Sequence, residues 1–290
     1  MSQKHAFAAL ILATFAALGC DNKSSGGASA QPSATTAPTP STAPSAAPSA
    51  SAAAPVDKDP INALSLGTIF RDDEDLMLDN VKENWRLEWT KAPIPYCMSA
   101  EQLLTCPCDG FAFGEKGSMD LVRTIPGKPD ERLHLDSLFS DHDTLMQRWP
   151  VTKADRDGAI GGDGGAGKLD MVGISMRPVT SIIKFGDFDH DGRASEFLLQ
   201  VGAFPCGHTP TIVVGISKDN PKLHAFGTKE TPNEPVTLDN RADWEKLLKK
   251  PQADITTIAC GDHGATDSTI MHVTADGNFH VTTDTKHCGM

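Results

Sequence analysis

Residues 182–200 read IIKFGDFDHDGRASEFLLQ. Two apolar runs flank a loop that places Asp187, Asp189 and Asp191 at alternate positions, followed by Gly192 and Glu196. Apolar runs of this length, bounded by Asp and Gly, predict buried strands. The strands continue outward. KLDMVGISM (168–176), TSIIKF (180–185), EFLLQVGAF (196–204), TIVVGIS (211–217) and LHAFGT (223–228) are short and apolar, with Gly, Pro, Asp and Asn between them. NRADWEKLLKK (240–250) predicts a helix capped by Asp239 or Asn240. Trp244, Leu247 and Leu248 share one face, lysines fill the last turn, and Pro251 stops it. ADITTIAC (253–260), STIMHVTA (268–275) and NFHVTTD (278–284) predict closing strands, the last two a hairpin through Asp276-Gly277. A two-residue turn there pairs Val273 with His280 and sets His272 and His280 on opposite faces.

Upstream, DDEDLMLDNVKEN (72–84) reads as a short helix with acids in its first turn, and WRLEWTKAP (85–93) as a strand. Ser99 caps a helix over residues 100–106, with Glu101 in its first turn. Residues 119–139 read as two strands around Pro126-Gly127, and DTLMQRW (143–149) as a short helix. The expected fold is mainly β, one antiparallel domain over residues 57–290 with a few short helices. No repeat of 20–50 residues is visible, so no complete propeller or solenoid is expected.

Alternate acids in a tight loop turn oxygens toward one point, and Ca²⁺ takes six to eight oxygens. Counted from Asp187, the sixth residue is Gly192, which permits a sharp bend, and the seventh is Arg193, which offers its carbonyl. A helix–loop–helix hand needs Glu at position twelve, where this chain has Leu198. With strands on both flanks, the loop resembles the Asp-x-Asp-x-Asp-Gly calcium loops of the FG-GAP and VCBS repeat families, found in integrin-like propellers. The resemblance covers about fifteen residues and implies a structural Ca²⁺ held by Asp187, Asp189, Asp191 and the Arg193 carbonyl. That pattern has an acid at position nine. Here position nine is Ser195 and position ten Glu196. The closing ligand is therefore Glu196 through a bulge, Ser195, or a water.

The chain opens MSQKHAFAALILATFAALGC. Lys4 precedes a thirteen-residue apolar run, residues 6–18, too short to span a bilayer and suited to a signal peptide. Ala17-Leu18-Gly19-Cys20 resembles the lipobox of bacterial lipoproteins. That resemblance implies removal of residues 1–19, acylation of Cys20 by palmitate-type chains, and a lipid bilayer as partner. Asp21 resembles an enterobacterial inner-membrane retention signal. Lineages differ, and both membranes stay open. Residues 20–56 form an Ala/Ser/Pro/Thr tether whose bulk, 24–55, has no charge and little apolar surface to offset ordering. Fully extended at about 3.1 Å per residue it reaches on the order of 100 Å; as a coil, about 30 Å. The address is the cell envelope, facing the periplasm or the exterior.

Net charge is −12, and removing Lys4 with the leader makes it −13. This argues against a nucleic-acid partner. Residues 161–169, GGDGGAGKL, approach a phosphate loop, but Leu169 stands where the hydroxyl should be, so no nucleotide is expected. Asp155, Asp157 and Asp163 offer a looser ion site. Of seven cysteines, Cys20 takes the lipid. Cys97, Cys106, Cys108, Cys206, Cys260 and Cys288 remain, an even six in an exported chain, which suggests three disulfides. Cys106 and Cys108 are too close to bridge each other, and Cys97 pairs with one of them. The neighbours Cys206/His208, Cys260/His263 and His287/Cys288 support a rival reading, a Zn²⁺- or Cu⁺-handling protein. Gly-x-Ser-x-Gly, His-Glu-x-x-His and Cys-x-x-Cys-His are all absent, so an exported hydrolase is a second rival without a motif. The leading expectation is an envelope lipoprotein that presents a calcium-stabilised, disulfide-stapled binding or structural domain. No protein or glycan partner is specified.

Overall fold

The apolar runs EFLLQ and TIVVG pair at the centre of the molecule, and their side chains alternate between two cores. The computed structural model describes residues 70–103, 108–161, 167–204 and 208–289. Strand β8 (Glu196–Gln200) pairs antiparallel with β9 (Thr211–Gly215), which pairs with the two-residue β10 (His224–Ala225). Phe197, Leu199, Ile212 and Val214 enter one core, while Leu198 and Val213 enter another. A sheet covered on both faces needs unbroken apolar sequence, and both runs supply it.

The first core is closed by a four-stranded antiparallel sheet in the order β1-β2-β5-β6. Its strands are β1 (Phe70–Leu78), β2 (Val81–Trp89), β5 (Met119–Thr124) and β6 (Glu131–His134). Trp85, Leu87 and Trp89 alternate on the buried face of β2. Residues 72–84 are thus a hairpin and not the expected helix. Asp79 and Asn80 both adopt positive φ, 48° and 65°, between the paired Leu78 and Val81. That is a two-residue hairpin turn, and Asp and Asn tolerate the left-handed region best among residues with a Cβ.

A second three-stranded sheet, β3 (Ile94–Tyr96), β4 (Gly114–Gly117) and β7 (Thr144–Gln147), replaces the helix expected over 143–149. Leu145 and Met146 are both buried there. Short helices α1 (Ala100–Leu103), α2 (Cys108–Phe111), α3 (Lys153–Ala159) and α4 (Met171–Ser175) sit nearby. Ser99 Oγ accepts from the Gln102 amide, the expected cap. The strand expected over 168–176 is helix α4, because Asp170 caps it by accepting from the Gly173 amide at 3.0 Å. Cys97 is disulfide-bonded to Cys108, one of its two expected partners, with Cα atoms 5.3 Å apart. Cys106 and Cys206 lie outside the described residues, as do Cys20 and the whole of the expected leader and tether.

Helix α3 carries a capping box. Thr152 Oγ1 accepts from the Asp155 amide, and the Asp155 carboxylate accepts from the Thr152 amide at 2.7 Å. Asp155 also receives two bonds from Arg177, at 2.6 and 2.8 Å. This guanidinium holds the Asp155 carboxyl down to about 2. A lowered carboxyl pKa stabilises the fold above the unfolded value of 3.8 and stops doing so as pH falls through about 2. Arg177 is partly exposed, so screening reduces the effect to about 1–2 kcal/mol. Urea unfolding at pH 5 and pH 2 should show this loss in the native chain and a smaller one in Asp155→Asn.

The second core lies between β8–β9, helix α5 (Arg241–Lys249) and the sheet of β11 (Gln252–Ile258), β12 (Asp267–Ala275) and β13 (Phe279–His287). Asn240 is the cap of α5, accepting from the Asp243 amide. Trp244 and Leu247 are fully buried, and Leu248 is half exposed. The β12–β13 register differs from expectation. Ala275 pairs with Phe279, so the turn holds three residues, and His280 faces Thr274. His272 and His280 therefore share one face. Among the described residues, no helix is long and apolar enough to cross a membrane.

Candidate metal centre

The acidic loop is closed at its stem by a bridge between Gly186 and Glu196, with N···O distances of 2.8 and 3.3 Å. Gly186 is needed at the stem: a Cβ there would come within 2.8 Å of the Phe188 ring and 2.9 Å of Leu248. Gly192 turns the loop with φ of 87°, which disfavours any side chain. His190 also has positive φ, 57°, and its Nε2 donates to the Leu247 carbonyl of α5 at 2.6 Å. The Gly277 amide, in the β12–β13 turn, donates to the Asp189 carbonyl at 2.6 Å. Phe188, between two of the aspartates, points into the second core and meets Trp244 edge-on at 6.5 Å.

Held in this way, the loop brings Asp187, Asp189 and Glu196 together. One carboxylate oxygen from each lies within 4.8 Å of the others, and among the described residues no other group of three His, Cys, Asp or Glu does so. Asp189 and Glu196 are completely buried. Glu196 accepts from the Phe188 amide at 2.8 Å and from the Ser195 hydroxyl at 2.8 Å. Asp187 accepts from the Gly192 amide and Asp189 from the Asp191 amide. Asp187 Oδ1 and Asp189 Oδ2 are buried and, among the described residues, have no partner. Burial pushes the Asp189 carboxyl up to about 7, and the charges of Asp191 and Asp187 add to this. Burial pushes Glu196 up to about 8, with Asp189 as the next cause. Two unpaired buried carboxylate oxygens beside a third buried acid are costly without a cation. The donor set is all oxygen, which suits a hard cation.

The acidic cluster overlaps only in part with the ligand set that the loop spacing implies. Asp191 is turned elsewhere. It accepts from the Arg193 amide at 2.7 Å and the Lys218 amide at 2.6 Å, and Lys218 Nζ donates to its carbonyl. The side chain of Arg193 reaches Asp79 at 3.0 Å. Glu196, with its position left open by the spacing, is inside the cluster. No bulge within the strand is required, because Glu196 is the first residue of β8 and the stem of the loop. The anchoring roles of His190, Lys218 and Gly277 carry no pattern in the sequence, although Asp276-Gly277 reads as a turn, since they come from hydrogen bonds to residues 27 or more positions away.

Other candidate residues are dispersed. Asp155 belongs to Arg177, Asp157 pairs with Lys153 at 2.6 Å, and residues 162–166 lie outside the described residues. Cys260 is disulfide-bonded to Cys288, which leaves no thiolate on either for Zn²⁺ or Cu⁺. His208 lies 3.4 Å from Asp239 and His287 2.8 Å from Asp267. His272 sits between Asp254 and Asp284, and their hydrogen bonds raise its pKa. The chain matches no family model, and no curated protein or solved structure is detectably similar to it.

Proposed function

We propose that this protein is a cell-envelope lipoprotein, acylated at Cys20, whose tether presents a β-rich domain stabilised by Ca²⁺ at Asp187, Asp189 and Glu196. The observation that carries the metal reading is the pair of buried, unpartnered oxygens, Asp187 Oδ1 and Asp189 Oδ2, beside buried Glu196. The role of the ion is structural. It joins the stem of the central strand to the loop that touches α5 and the β12–β13 turn, and its binding energy adds to the folding energy. The sequence resemblances supply the envelope address and calcium as the cation. The domain then serves in binding or in scaffolding at the membrane it is tied to.

Isothermal calorimetry of the full-length protein tests the metal reading. One saturable Ca²⁺ site is expected, and Asp189→Asn should abolish it. The same substitution removes a buried acid with no cation partner, so the metal-free protein should melt at the same temperature or higher. Asp189→Asn that retains the calcium heat, or a native chain with no calcium heat, refutes the assignment. Acyl-chain labelling of Cys20→Ser beside the native chain tests the address.

A further inference from the structure

A cavity of about 140 Å³ opens beside the central sheet, between the two large cores. Phe111, Leu145 and Ile182 give it an apolar lining, and Thr180, Lys184 and Arg241 give it a polar one. Three observations single it out. The Thr180 hydroxyl is buried and, among the described residues, has no hydrogen-bond partner. Buried hydroxyls are nearly always paired, so an orphan in a cavity wall marks a bond left for an occupant. Next, among the described residues no Asp or Glu lines the cavity, and the carboxylate of Asp72, behind its wall, is taken up by the Ile182 and Ile183 amides. Finally, the two cations are little used. Among the described residues Lys184 makes no ion pair, and Arg241 has a single exposed contact with Glu245 at 3.6 Å.

Size and chemistry then narrow the occupant. A dry cavity of about 150 Å³ accepts a benzene-sized molecule. Here the apolar lining suits about six carbons, while the cations and the free hydroxyl suit a carboxylate. A bare inorganic anion would leave the Phe111, Leu145 and Ile182 surface unused. A neutral hydrocarbon would leave Lys184 and Thr180 unpaired. We propose that this cleft binds a small monocarboxylate with a short apolar tail, the carboxylate taken by Lys184, Arg241 and the Thr180 hydroxyl. The site is separate from the acidic loop, and its test does not depend on the metal.

Calorimetry on the full-length protein, with hexanoate, hexanol and acetate as probes, decides the matter. Hexanoate should bind at one site about tenfold or more tighter than either hexanol or acetate. Lys184→Gln combined with Arg241→Gln should weaken hexanoate about tenfold and leave hexanol unchanged. Thr180→Val keeps the side-chain shape and removes the orphan hydroxyl. It should weaken hexanoate binding while leaving the melting temperature of the free protein equal or higher, a combination a purely structural threonine would not give. Equal binding of hexanol and hexanoate would make this an apolar hole. Equal binding of acetate and hexanoate would make it a simple anion site. No saturable binding up to about 10 mM, where even millimolar sites fill, would make it a water-filled gap. Each of these results overturns the proposal.

Discussion

Calcium at about one hundred times its dissociation constant should stabilise the native chain by about 2.7 kcal/mol. For a folded part of this size that raises the melting temperature by about 5–10 °C. The effect should depend on pH in a direction that the buried acids set. Asp189 and Glu196 have folded pKa values of about 7 and about 8, against ordinary values of 3.8 and 4.5. Between those limits the folded, metal-free protein holds protons that the unfolded chain has released. Its stability therefore falls as pH rises from about 4 to about 8. Calcium must displace the same protons, so it binds more weakly at pH 5 than at pH 8. Scanning calorimetry with and without calcium at both pH values should show the larger shift at pH 8. A calcium shift that is equal at pH 5 and pH 8 would contradict the burial of these acids.

Trp244→Ala should have the largest effect of any single substitution on the second core. The indole is fully buried, its Nε1 donates to the Thr211 carbonyl at 2.8 Å, and Phe279 packs edge-on at 5.3 Å. Removing such a side chain costs about 3–5 kcal/mol. Trp244 also meets Phe188, which sits between Asp187 and Asp189. The same substitution should therefore weaken calcium binding. Leu121→Ala, in the first core on β5, should cost about 2–5 kcal/mol and leave calcium affinity unchanged. Comparing the two variants by denaturant unfolding and calcium titration separates general destabilisation from loss of the loop's support.

Much of this architecture could be read from the sequence, and the reasons differ by element. Strands β8 and β9 are legible because both faces are buried, which forces unbroken apolar runs, whereas the equally apolar TSIIKF (180–185), expected as a strand, joins no sheet. Helix α5 was legible from its cap, its apolar face and Pro251. Residues 72–84 read as helix although they form most of a hairpin, because the acids of Asp72–Asp75 resemble a first helical turn, whereas the strand from Trp85 is legible. The stronger signal, Asp79-Asn80, lay in the middle of the segment. Residues 168–176 were misread as a strand, although Asp170 stood ready to cap a helix. At the loop, Asp187, Asp189 and Gly192 were legible from spacing alone. Spacing also places Asp191 with them and leaves Glu196 as one of three closing options, because the Lys218 amide that turns Asp191 away is 27 residues distant in the chain. The cavity is invisible in sequence, since Thr180, Lys184 and Arg241 form no pattern and line one cavity only in the fold.

Strands β8 and β9 give alternate side chains to the two large cores. A domain built this way has no seam. Separating the N-terminal from the C-terminal half would strip one face of the central sheet, whichever half kept it. Such fragments should not be soluble alone, and an inserted protease site between β8 and β9 should leave two pieces that stay associated until both melt together.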